Sequence, residues 1–358
     1  MRSFIVTNTR RREGKNQGIM QRYIEIDLGT VKTTQGPSAP LREGWVRIRV
    51  AACGICGTDL HLLQGMRLPT GASYPVRPGH EVSGWVTETA DPSGADLIGH
   101  LVVLHPLNTC GECPACMSGQ EQRCRGARIL GIHEAGGLSD KVDWPACRVV
   151  SAHGLLPEQA AILADAGATA YHSLRAADLS PGASLCVLGA GGVGTQVALI
   201  ARALDPTVRI AAVVGSPTSA DRIAPLVDRV EVGVSGVGKR LRVAGWRFDA
   251  VIDFSNQADA PLEGLRMLNG GGLLILGSVS DDPVSIGPGV LVQSRELTVK
   301  GVYTSTIDDL RAVVNLAQRG LIDLQGSVTH RFPLDQAARA MEVMAERPPG
   351  MVRVVVIP

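Results

Sequence analysis

Four cysteines lie close together in one polar loop of the sequence, at Cys110, Cys113, Cys116 and Cys124. Their spacing is C-x2-C-x2-C-x7-C, and four thiolates in such a short segment can close a tetrahedral zinc site. Four protein ligands leave no open coordination position, so such a site is structural. The pattern therefore predicts a bound zinc ion that orders a loop with little hydrophobic core of its own.

A glycine-rich turn, G-x-G-x-x-G, follows a strand-like segment and opens a helix-like one. In this motif Gly189 allows the tight turn, Gly191 lets the backbone approach a pyrophosphate, and Gly194 lets strand and helix pack closely. Gly192 and Val193 begin the helix, whose free N–H groups and positive end suit phosphates. The strand–turn–helix context predicts that this turn binds a dinucleotide.

The segment AAVVGSP, at the end of the next predicted strand, contains no acidic residue. An Asp or Glu about 20 residues beyond the glycine-rich turn would accept a hydrogen bond from the ribose 2′-hydroxyl of NAD. Its absence at Gly215 removes a repulsive charge, and Ser216 and Arg222 can donate to the 2′-phosphate of NADP. These residues favour NADP. The alternative is that backbone groups bind the ribose of NAD and that no side chain selects between the cofactors.

Composition narrows the class of protein further. The chain has 358 residues, of which 45% are hydrophobic, and a formal net charge of +1. These values exclude intrinsic disorder and give no electrostatic case for binding nucleic acid or an anionic membrane. No apolar run reaches the roughly 18 residues of a membrane span. Metal ligation by cysteine requires reduced thiols, so we expect a cytoplasmic protein. With no case for nucleic acid or a membrane as partner, we expect a small-molecule substrate.

The elements that must position these residues change in character along the chain. Residues 1–19 form a basic N-terminal extension that we expect to be flexible. Residues 20–160 alternate short apolar runs with turns, which indicates a mostly antiparallel, barrel-like β domain. Residues 161–303 alternate strands with helices, which predicts a doubly wound parallel sheet of six strands. Residues 304–358 are expected to return to the first domain and complete it.

The motifs CGICGTDLH and PGHE, the four-cysteine loop and GAGGVG follow one another in this order. In this respect the sequence resembles the zinc-dependent medium-chain dehydrogenase/reductase family of alcohol dehydrogenases, from about Met20 to Pro358. The cysteine loop and the GHE motif are specific to that resemblance, whereas the glycine-rich turn is widespread. The resemblance implies an α/β protein with a mostly-β, GroES-like catalytic domain and a doubly wound, parallel-sheet Rossmann domain.

The resemblance also implies a catalytic zinc ion, and hence two zinc ions per chain. Cys56 and His80 match its first two ligands, and Asp165 stands where many members have a cysteine. A carboxylate is a sound zinc ligand, so Asp165 is interpreted as the third. Glu81 is interpreted as a neighbour of the metal or a transient ligand, and Asp59 as the acceptor of the other ring N–H of His80.

The reaction that the resemblance implies is the interconversion of an alcohol and an aldehyde or ketone, with hydride transfer to or from NAD(P). Thr58 would pass the alcohol proton through a ribose hydroxyl of the nicotinamide to His61, which exchanges it with solvent. One alternative is a polyol or sugar dehydrogenase of the same family. A second is a zinc-stabilised binding protein without turnover. A zinc-free quinone or enoyl reductase is disfavoured because the metal ligands are present.

Assembly follows from the edge of the predicted parallel sheet. A free edge strand near residues 296–303 would expose unpaired backbone groups. The resemblance suggests that this edge pairs with another subunit. We therefore expect a homodimer or a homotetramer.

Overall fold

The computed structural model describes residues 5–8, 20–280 and 282–358. The chain divides into two compact units. The first unit contains Met1–Asp165, Thr306–Gln318 and Leu324–Pro358, and the second contains Ala166–Ser305 and Arg319–Asp323.

The β-strands of the described residues are short, and most belong to one of two large sheets. In chain order they are β1 Ile5–Asn8, β2 Met20–Asp27, β3 Thr30–Pro37, β4 Trp45–Gly54, β5 Glu81–Thr89, β6 Leu101–Leu104, β7 Leu107–Asn108, β8 Arg128–Ile129, β9 Lys141–Pro145, β10 Val149–Ser151, β11 Ser184–Leu188, β12 Arg209–Val214, β13 Arg229–Val232, β14 Phe248–Asp253, β15 Leu268–Leu276, β16 Thr298–Gly301, β17 His330–Pro333 and β18 Val354–Ile357.

The α-helices are concentrated in the second half of the chain. They are α1 Gly57–Leu63, α2 Pro114–Met117, α3 Pro157–Ile162, α4 Ala168–Ala177, α5 Gly192–Leu204, α6 Pro217–Ile223, α7 Val237–Val243, α8 Ala260–Met267, α9 Gly289–Gln293, α10 Ile307–Gln318 and α11 Ala337–Glu346. Among the described residues, no helix is both long enough and apolar enough to cross a membrane.

A seven-stranded sheet forms the first unit, in the order β10-β6-β5-β4-β18-β17, with β9 also paired to β4. All its pairs are antiparallel except β17 with β18. Val46, Ile48 and Val50 alternate along β4 and are buried in the core, as the period of two in a strand dictates. Between them, Arg49 is exposed and its guanidinium lies 4.6 Å from the ring centre of Trp85.

The C-terminal segment completes this sheet. Strand β18 pairs with β4, where Val355 lies opposite Gly54. Helix α11 packs its buried face, which includes Ala340 and Met341, into the same hydrophobic core. Helix α11 and strand β18 thus cover a core that is built mainly from residues far earlier in the sequence.

The second unit contains a six-stranded sheet in the order β13-β12-β11-β14-β15-β16, and every pair in it is parallel. Its central strand β11 is buried along its whole length, as expected for a strand covered on both faces. The predicted fold class is therefore confirmed: a mostly-β unit is joined to a doubly wound parallel sheet of six strands.

The predicted domain limits, after residues 160 and 303, differ by a few positions from the unit limits after Asp165 and Ser305. Within the predicted N-terminal extension, the structure describes only β1, whose four residues pair in parallel with β3. The flexibility expected of this extension stays a prediction, since the pairing of β1 with β3 does not measure motion. The rest of that extension lies outside the described residues.

Candidate metal centres and cofactor site

The four cysteines of the loop converge as their spacing predicts. Their ligand atoms all lie within 4.8 Å of one another. The Sγ–Sγ distances are 3.5 Å for Cys113–Cys116, 3.6 Å for Cys124–Cys110 and 3.9 Å for Cys110–Cys116. A zinc tetrahedron with Zn–S bonds of about 2.3 Å has S–S edges of about 3.8 Å. The donor set therefore fits a tetrahedral zinc ion.

Local backbone structure prepares this site. Cys113 is the N-cap of α2, and Pro114 at the first helical position has the φ that a helix start requires. Backbone N–H groups of Glu112 and Cys113 point at the Cys110 sulfur and lower its pKa to about 6. The loop thus favours the thiolate at Cys110, whereas burial raises the pKa of Cys116 to about 11.

A buried carboxylate ties this cysteine loop to the rest of the first unit. Glu121, on the 3-10 turn just before Cys124, accepts the backbone N–H of Ile307 at 2.8 Å. Its carboxylate also lies 3.3 Å from the guanidinium of Arg148. The loop is therefore anchored at the start of α10 by a contact that does not involve its four thiols.

A second cluster brings together Cys56, His80, Glu81 and Asp165, whose ligand atoms also lie within 4.8 Å of one another. Asp165 Oδ2 is 3.6 Å from Cys56 Sγ and 3.7 Å from His80 Nε2. Zinc bonds of about 2.0–2.3 Å correspond to tetrahedral edges of about 3.3–3.8 Å, so these three groups fit one metal ion.

The helix that carries Asp165 is not a regular α-helix. Residues 157–177 have apolar residues at helical spacing and good helix formers, which predicts a helix. In the structure, Leu163–Gly167 is instead a π-helical turn between α3 and α4. A π-turn inserts one extra residue, which rotates the side chains that follow it, and such turns are frequent at functional sites. This irregularity sets the direction of the Asp165 carboxylate.

His80 is positioned by a glycine that precedes it. Gly79 has a φ of +101°, and a Cβ there would lie 2.6 Å from the backbone nitrogen of Leu138. Only glycine combines this left-handed backbone with such a close approach. The chain therefore turns sharply just before His80 and enters β5 with the imidazole directed at the cluster.

Sequence reasoning missed the partner of Glu81. Arg353, next to β18, donates to Glu81 Oε1 at 2.5 Å, and both side chains are almost fully buried. The other oxygen, Oε2, has no hydrogen-bond partner among the described residues. The sequence feature that could have pointed to this partner is the charge of Arg353, which lies inside the apolar segment MVRVVVI. A cation there requires a buried anion, but the sequence does not say which.

The ion pair of Glu81 and Arg353 lies beside Gly54, which is opposite Glu81 in the register of β4 and β5. A Cβ at Gly54 would lie 2.1 Å from Glu81 Oε2. Burial raises the pKa of Glu81 to about 7, although Arg353 opposes this. A divalent cation would favour the charged form of this carboxylate and engage its unpaired oxygen, so the charges as well as the distances fit a metal.

The predicted hydrogen bond between Asp59 and the ring of His80 is not formed. Its Oδ1 lies 4.0 Å from His80 Nδ1, which is longer than a hydrogen bond. Instead Asp59 Oδ2 accepts the backbone N–H of Cys56 at 2.8 Å, because it forms the capping box of α1. Asp59 thus orients the residue that starts the helix.

Thr58 and His61 both lie on α1, three positions apart, and so share one side of the helix. Thr58 Oγ1 is 4.0 Å from Cys56 Sγ. Both side chains are half-buried. Thr58 therefore lies beside the metal cluster, and His61 lies one turn further along the same side.

In the second unit, the glycine-rich turn has the predicted form. Gly189 follows β11 with a φ of +84°, and Gly191 is the N-cap of α5. A Cβ on Gly194 would lie 2.0 Å from the Gly189 carbonyl oxygen, whereas one on Gly191 would meet nothing within 4 Å. Gly194 thus permits close packing of strand and helix, and Gly191 leaves an open approach to the N–H groups of Gly192 and Val193. The cradle fits a pyrophosphate.

The residues predicted to select the cofactor lie next to this turn. Arg222, on α6, is half-buried and donates to the carbonyl of Ala190. Ser216 caps α6, since its Oγ accepts the N–H of Ser219 at 3.2 Å and lies 3.0 Å from the Ser219 hydroxyl. Gly215 has open space around its Cα. Arg222 therefore reaches back to the turn, whereas the Ser216 hydroxyl already has partners.

Comparisons with known proteins agree with this geometry. A family model described as the alcohol dehydrogenase GroES-like domain matches residues 42–154. L-galactonate-5-dehydrogenase of Escherichia coli (strain K12) is 29% identical over 300 residues, covering 82% of this chain and 86% of that protein. L-threonine 3-dehydrogenase of Bacillus velezensis is 28% identical over 342 residues, covering 90% of this chain and 94% of that protein.

A solved structure adds the cofactor to the comparison. A protein of Sinorhizobium meliloti 1021, assigned as a zinc-binding dehydrogenase and bound to NADP, superposes with a TM-score of 0.85 at 26% identity. The match covers 95% of this chain and 99% of that chain. The similarity thus extends well beyond residues 42–154.

Proposed function

We propose that this chain belongs to the zinc-dependent medium-chain dehydrogenase/reductase family, and from that premise we assign the residues that perform the reaction. The chain is an NAD(P)-dependent oxidoreductase that interconverts an alcohol with an aldehyde or ketone. The observation that supports this assignment most strongly is the convergence of one thiol, one imidazole and two carboxylates within 4.8 Å, of which the Glu81 carboxylate is paired with Arg353. Three protein ligands are typical of a zinc site that keeps a position open for substrate.

We assign Cys56, His80 and Asp165 as ligands of a catalytic zinc ion. When bound, this ion acts as a Lewis acid that favours the deprotonated alcohol or polarises the carbonyl. Glu81 remains beside it in an ion pair with Arg353, so its unpaired oxygen can approach the metal when the other ligands exchange.

The four-cysteine site holds a second, structural zinc ion in this proposal. Cys110, Cys113, Cys116 and Cys124 would occupy all four positions, so no substrate binds there. All cysteines of the described chain are free thiols. Because ligation needs them reduced, we infer a reducing compartment such as the cytoplasm, which cell fractionation would check.

The proton of the alcohol leaves through α1. We propose that Thr58 Oγ1, beside Cys56 Sγ, accepts it while its own proton passes on, and that His61 exchanges a proton with solvent. The nicotinamide, bound through the glycine-rich turn, supplies the hydride acceptor.

Replacing Thr58 by alanine should lower kcat for alcohol oxidation by about 100- to 10,000-fold, because a positioned proton acceptor contributes that much. His61→Gln should have a smaller effect, since water can replace a group that exchanges with solvent. Thr58→Ser keeps the hydroxyl and is the matched control. Steady-state kinetics with zinc analysis would test this. An unchanged kcat in Thr58→Ala at full zinc content would contradict the proposed proton relay.

The substrate class distinguishes two versions of this function. The relatives named above act on a sugar acid and an amino acid with secondary alcohols, which favours a polyol or sugar-type substrate over a simple alcohol. Absorbance at 340 nm, with a panel of simple alcohols, polyols, sugar acids and hydroxyamino acids and both cofactors, would decide between them. No turnover of any of these by the zinc-loaded protein would instead favour the zinc-stabilised binding protein.

For the cofactor, we propose a preference for NADP. No acidic residue follows β12 at Gly215, and Arg222 donates to the Ala190 carbonyl, so its positive charge lies beside the glycine-rich turn, where it favours a 2′-phosphate. The related structure of Sinorhizobium meliloti contains NADP. Ser216 contributes less than its sequence position suggests, because its hydroxyl already caps α6.

Arg222→Ala should lower kcat/KM for NADP by about 10- to 150-fold, since a charge-assisted hydrogen bond contributes about 1.5–3 kcal/mol. The value for NAD should change much less. Gly215→Asp should shift the preference toward NAD, and open space at Gly215 accommodates the new side chain. The ratio of kcat/KM for the two cofactors in all three proteins is the measurement. A strong preference of the unaltered protein for NAD would overturn the proposal.

We also propose that the protein is a homodimer or homotetramer. Within the described residues, β16 pairs only with β15, so its outer edge offers backbone groups to a further strand. Tyr303, just beyond this strand, is 52% exposed. Light scattering at micromolar concentration should give a mass of two or four chains. A monomer would contradict the proposal.

A further inference from the structure

A large cavity lies in the second unit, away from the glycine-rich turn. Its volume is about 750 Å³, which is within the range of small-molecule sites. Leu268 at the start of β15 lines it, as does Arg247 just before β14. These positions are at the amino ends of parallel strands, whereas the glycine-rich turn follows the carboxyl end of β11. The cavity and the cofactor turn thus occupy opposite edges of one sheet.

The charge of this cavity is unusual for the chain. Five cationic side chains line it together with a single acidic one: Lys239, Arg242, Arg247, Arg266, Arg295 and Glu263. The whole protein has a formal net charge of only +1. Positive charge is therefore concentrated here, at a cost in mutual repulsion that a bound anion would relieve.

Part of this charge has a structural role at the C-terminal end of α8. Arg247 donates to the carbonyl of Arg266 at 3.1 Å, and Arg295 donates to the carbonyls of Leu265 and Leu268. Arg266 pairs with Glu263 at 2.6 Å. These contacts satisfy carbonyls that a helix end leaves open, and cations are favourable there. They account for three of the five cations.

The other two cations have no such role. Lys239 and Arg242 lie three positions apart on α7 and so share one side of the helix. Neither side chain makes a hydrogen bond or ion pair with any residue in the described ranges. The arginines also keep donors, since Arg247 uses one of its five N–H groups in the contact above.

The cavity has room for a ligand because three of its lining residues are glycines. Gly236, Gly238 and Gly270 project no side chain into it. Planar guanidinium groups match phosphate oxygens two at a time, and Lys adds a compact point charge. Concave shape, size and charge together favour a small anion over an extended polymer.

We propose that this cavity binds a small anion with two or more phosphate groups, independently of NAD(P). Lys239 and Arg242 on α7 contact it from one side, and Arg247 and Arg295 contact it from the other. Binding at the amino edge of the sheet leaves the glycine-rich turn accessible, so both ligands bind the same chain together.

Equilibrium dialysis with radiolabelled inorganic pyrophosphate tests this proposal in the zinc-loaded protein. Saturating NADP is present, so that the cofactor site is filled. We expect one pyrophosphate per chain at low ionic strength, and at least tenfold weaker binding in Lys239→Ala/Arg242→Ala. The control variant Arg311→Ala/Arg319→Ala removes the same charge from positions that do not line the cavity and should bind as the unaltered protein does.

Four outcomes would overturn the proposal. They are the absence of binding, displacement of pyrophosphate by NADP, equal weakening in both double variants, and tighter binding of tricarballylate, which carries carboxylates instead of phosphates. Zinc content and circular dichroism of each variant, measured after dialysis, separate loss of the site from loss of the fold. A variant that has lost its fold is replaced by Lys239→Gln/Arg242→Gln, to which the same criteria apply.

Discussion

Replacement of Asp165 by alanine should reduce the zinc content from about two ions per chain to about one and lower kcat/KM by about a thousandfold. The carboxylate lies 3.6 Å from the Cys56 sulfur and 3.7 Å from the His80 ring. Its loss leaves two of the three proposed ligands, since Glu81 is engaged by Arg353, and two protein ligands bind zinc too weakly to retain it. A Lewis-acid metal supplies several kcal/mol of charge stabilisation, which corresponds to this loss in rate. Metal analysis and steady-state kinetics on the same preparation would measure both effects.

Two controls make this experiment specific. Asp165→Cys replaces the carboxylate by another zinc ligand and should keep both ions. Glu158→Gln removes a carboxylate from α3, where it pairs with Arg331 at 2.9 Å, and should leave zinc and activity unchanged. An Asp165→Ala protein that retains two zinc ions and full activity would show that Asp165 is not a ligand.

Replacement of Cys110 by serine should remove the other zinc ion while the cluster of Cys56, His80 and Asp165 remains intact. The cysteine loop has little core, and Cys110, Cys113 and Cys116 are only partly buried or exposed, so we expect a bound metal to supply most of its order. A destabilisation of about 3 kcal/mol would lower Tm by roughly 6–12 °C in a domain of this size. Calorimetry with metal analysis is the measurement.

The matched control is Cys147→Ser, which changes an exposed free thiol that belongs to neither cluster. It should alter neither zinc content nor Tm. Limited proteolysis should cut Cys110→Ser within the loop and leave Cys147→Ser uncut. If both variants behave alike, the four-thiolate site contributes no stability.

The sequence predicted best the features that depend on short segments. The four cysteines and the glycine-rich turn each lie within one short segment, so spacing alone brings their atoms together. The alternation of strands and helices likewise predicted the six-stranded parallel sheet. Cys56, His80 and Asp165 come from three distant segments, and only the resemblance to a family joined them.

What the sequence could not predict depends on tertiary contacts and on irregular backbone. Apolar periodicity over residues 157–177 predicts a regular helix and gives no sign of the π-turn that directs Asp165. Asp59 is a residue type that could accept a hydrogen bond from His80, but in the structure its carboxylate accepts the backbone N–H of Cys56 in the capping box of α1. Likewise, nothing in the sequence links Arg353 to Glu81, which it neutralises across the sheet.

The pairing of Arg353 with Glu81 has a consequence for the order in which the protein is made. The two residues are 272 positions apart, and β18, which follows Arg353, is also a neighbour of β4. A ribosome therefore synthesises Cys56, His80 and Asp165 long before the guanidinium that neutralises the buried carboxylate among them. Until the segment with Arg353 and β18 has been synthesised, Glu81 lies beside an unpaired edge of β4 without its cation, and burial of a lone charge is costly. The cluster of Cys56, His80, Glu81 and Asp165 thus gains its neutralising cation only after β18 and Arg353 have been made, although its own residues all lie far earlier in the sequence.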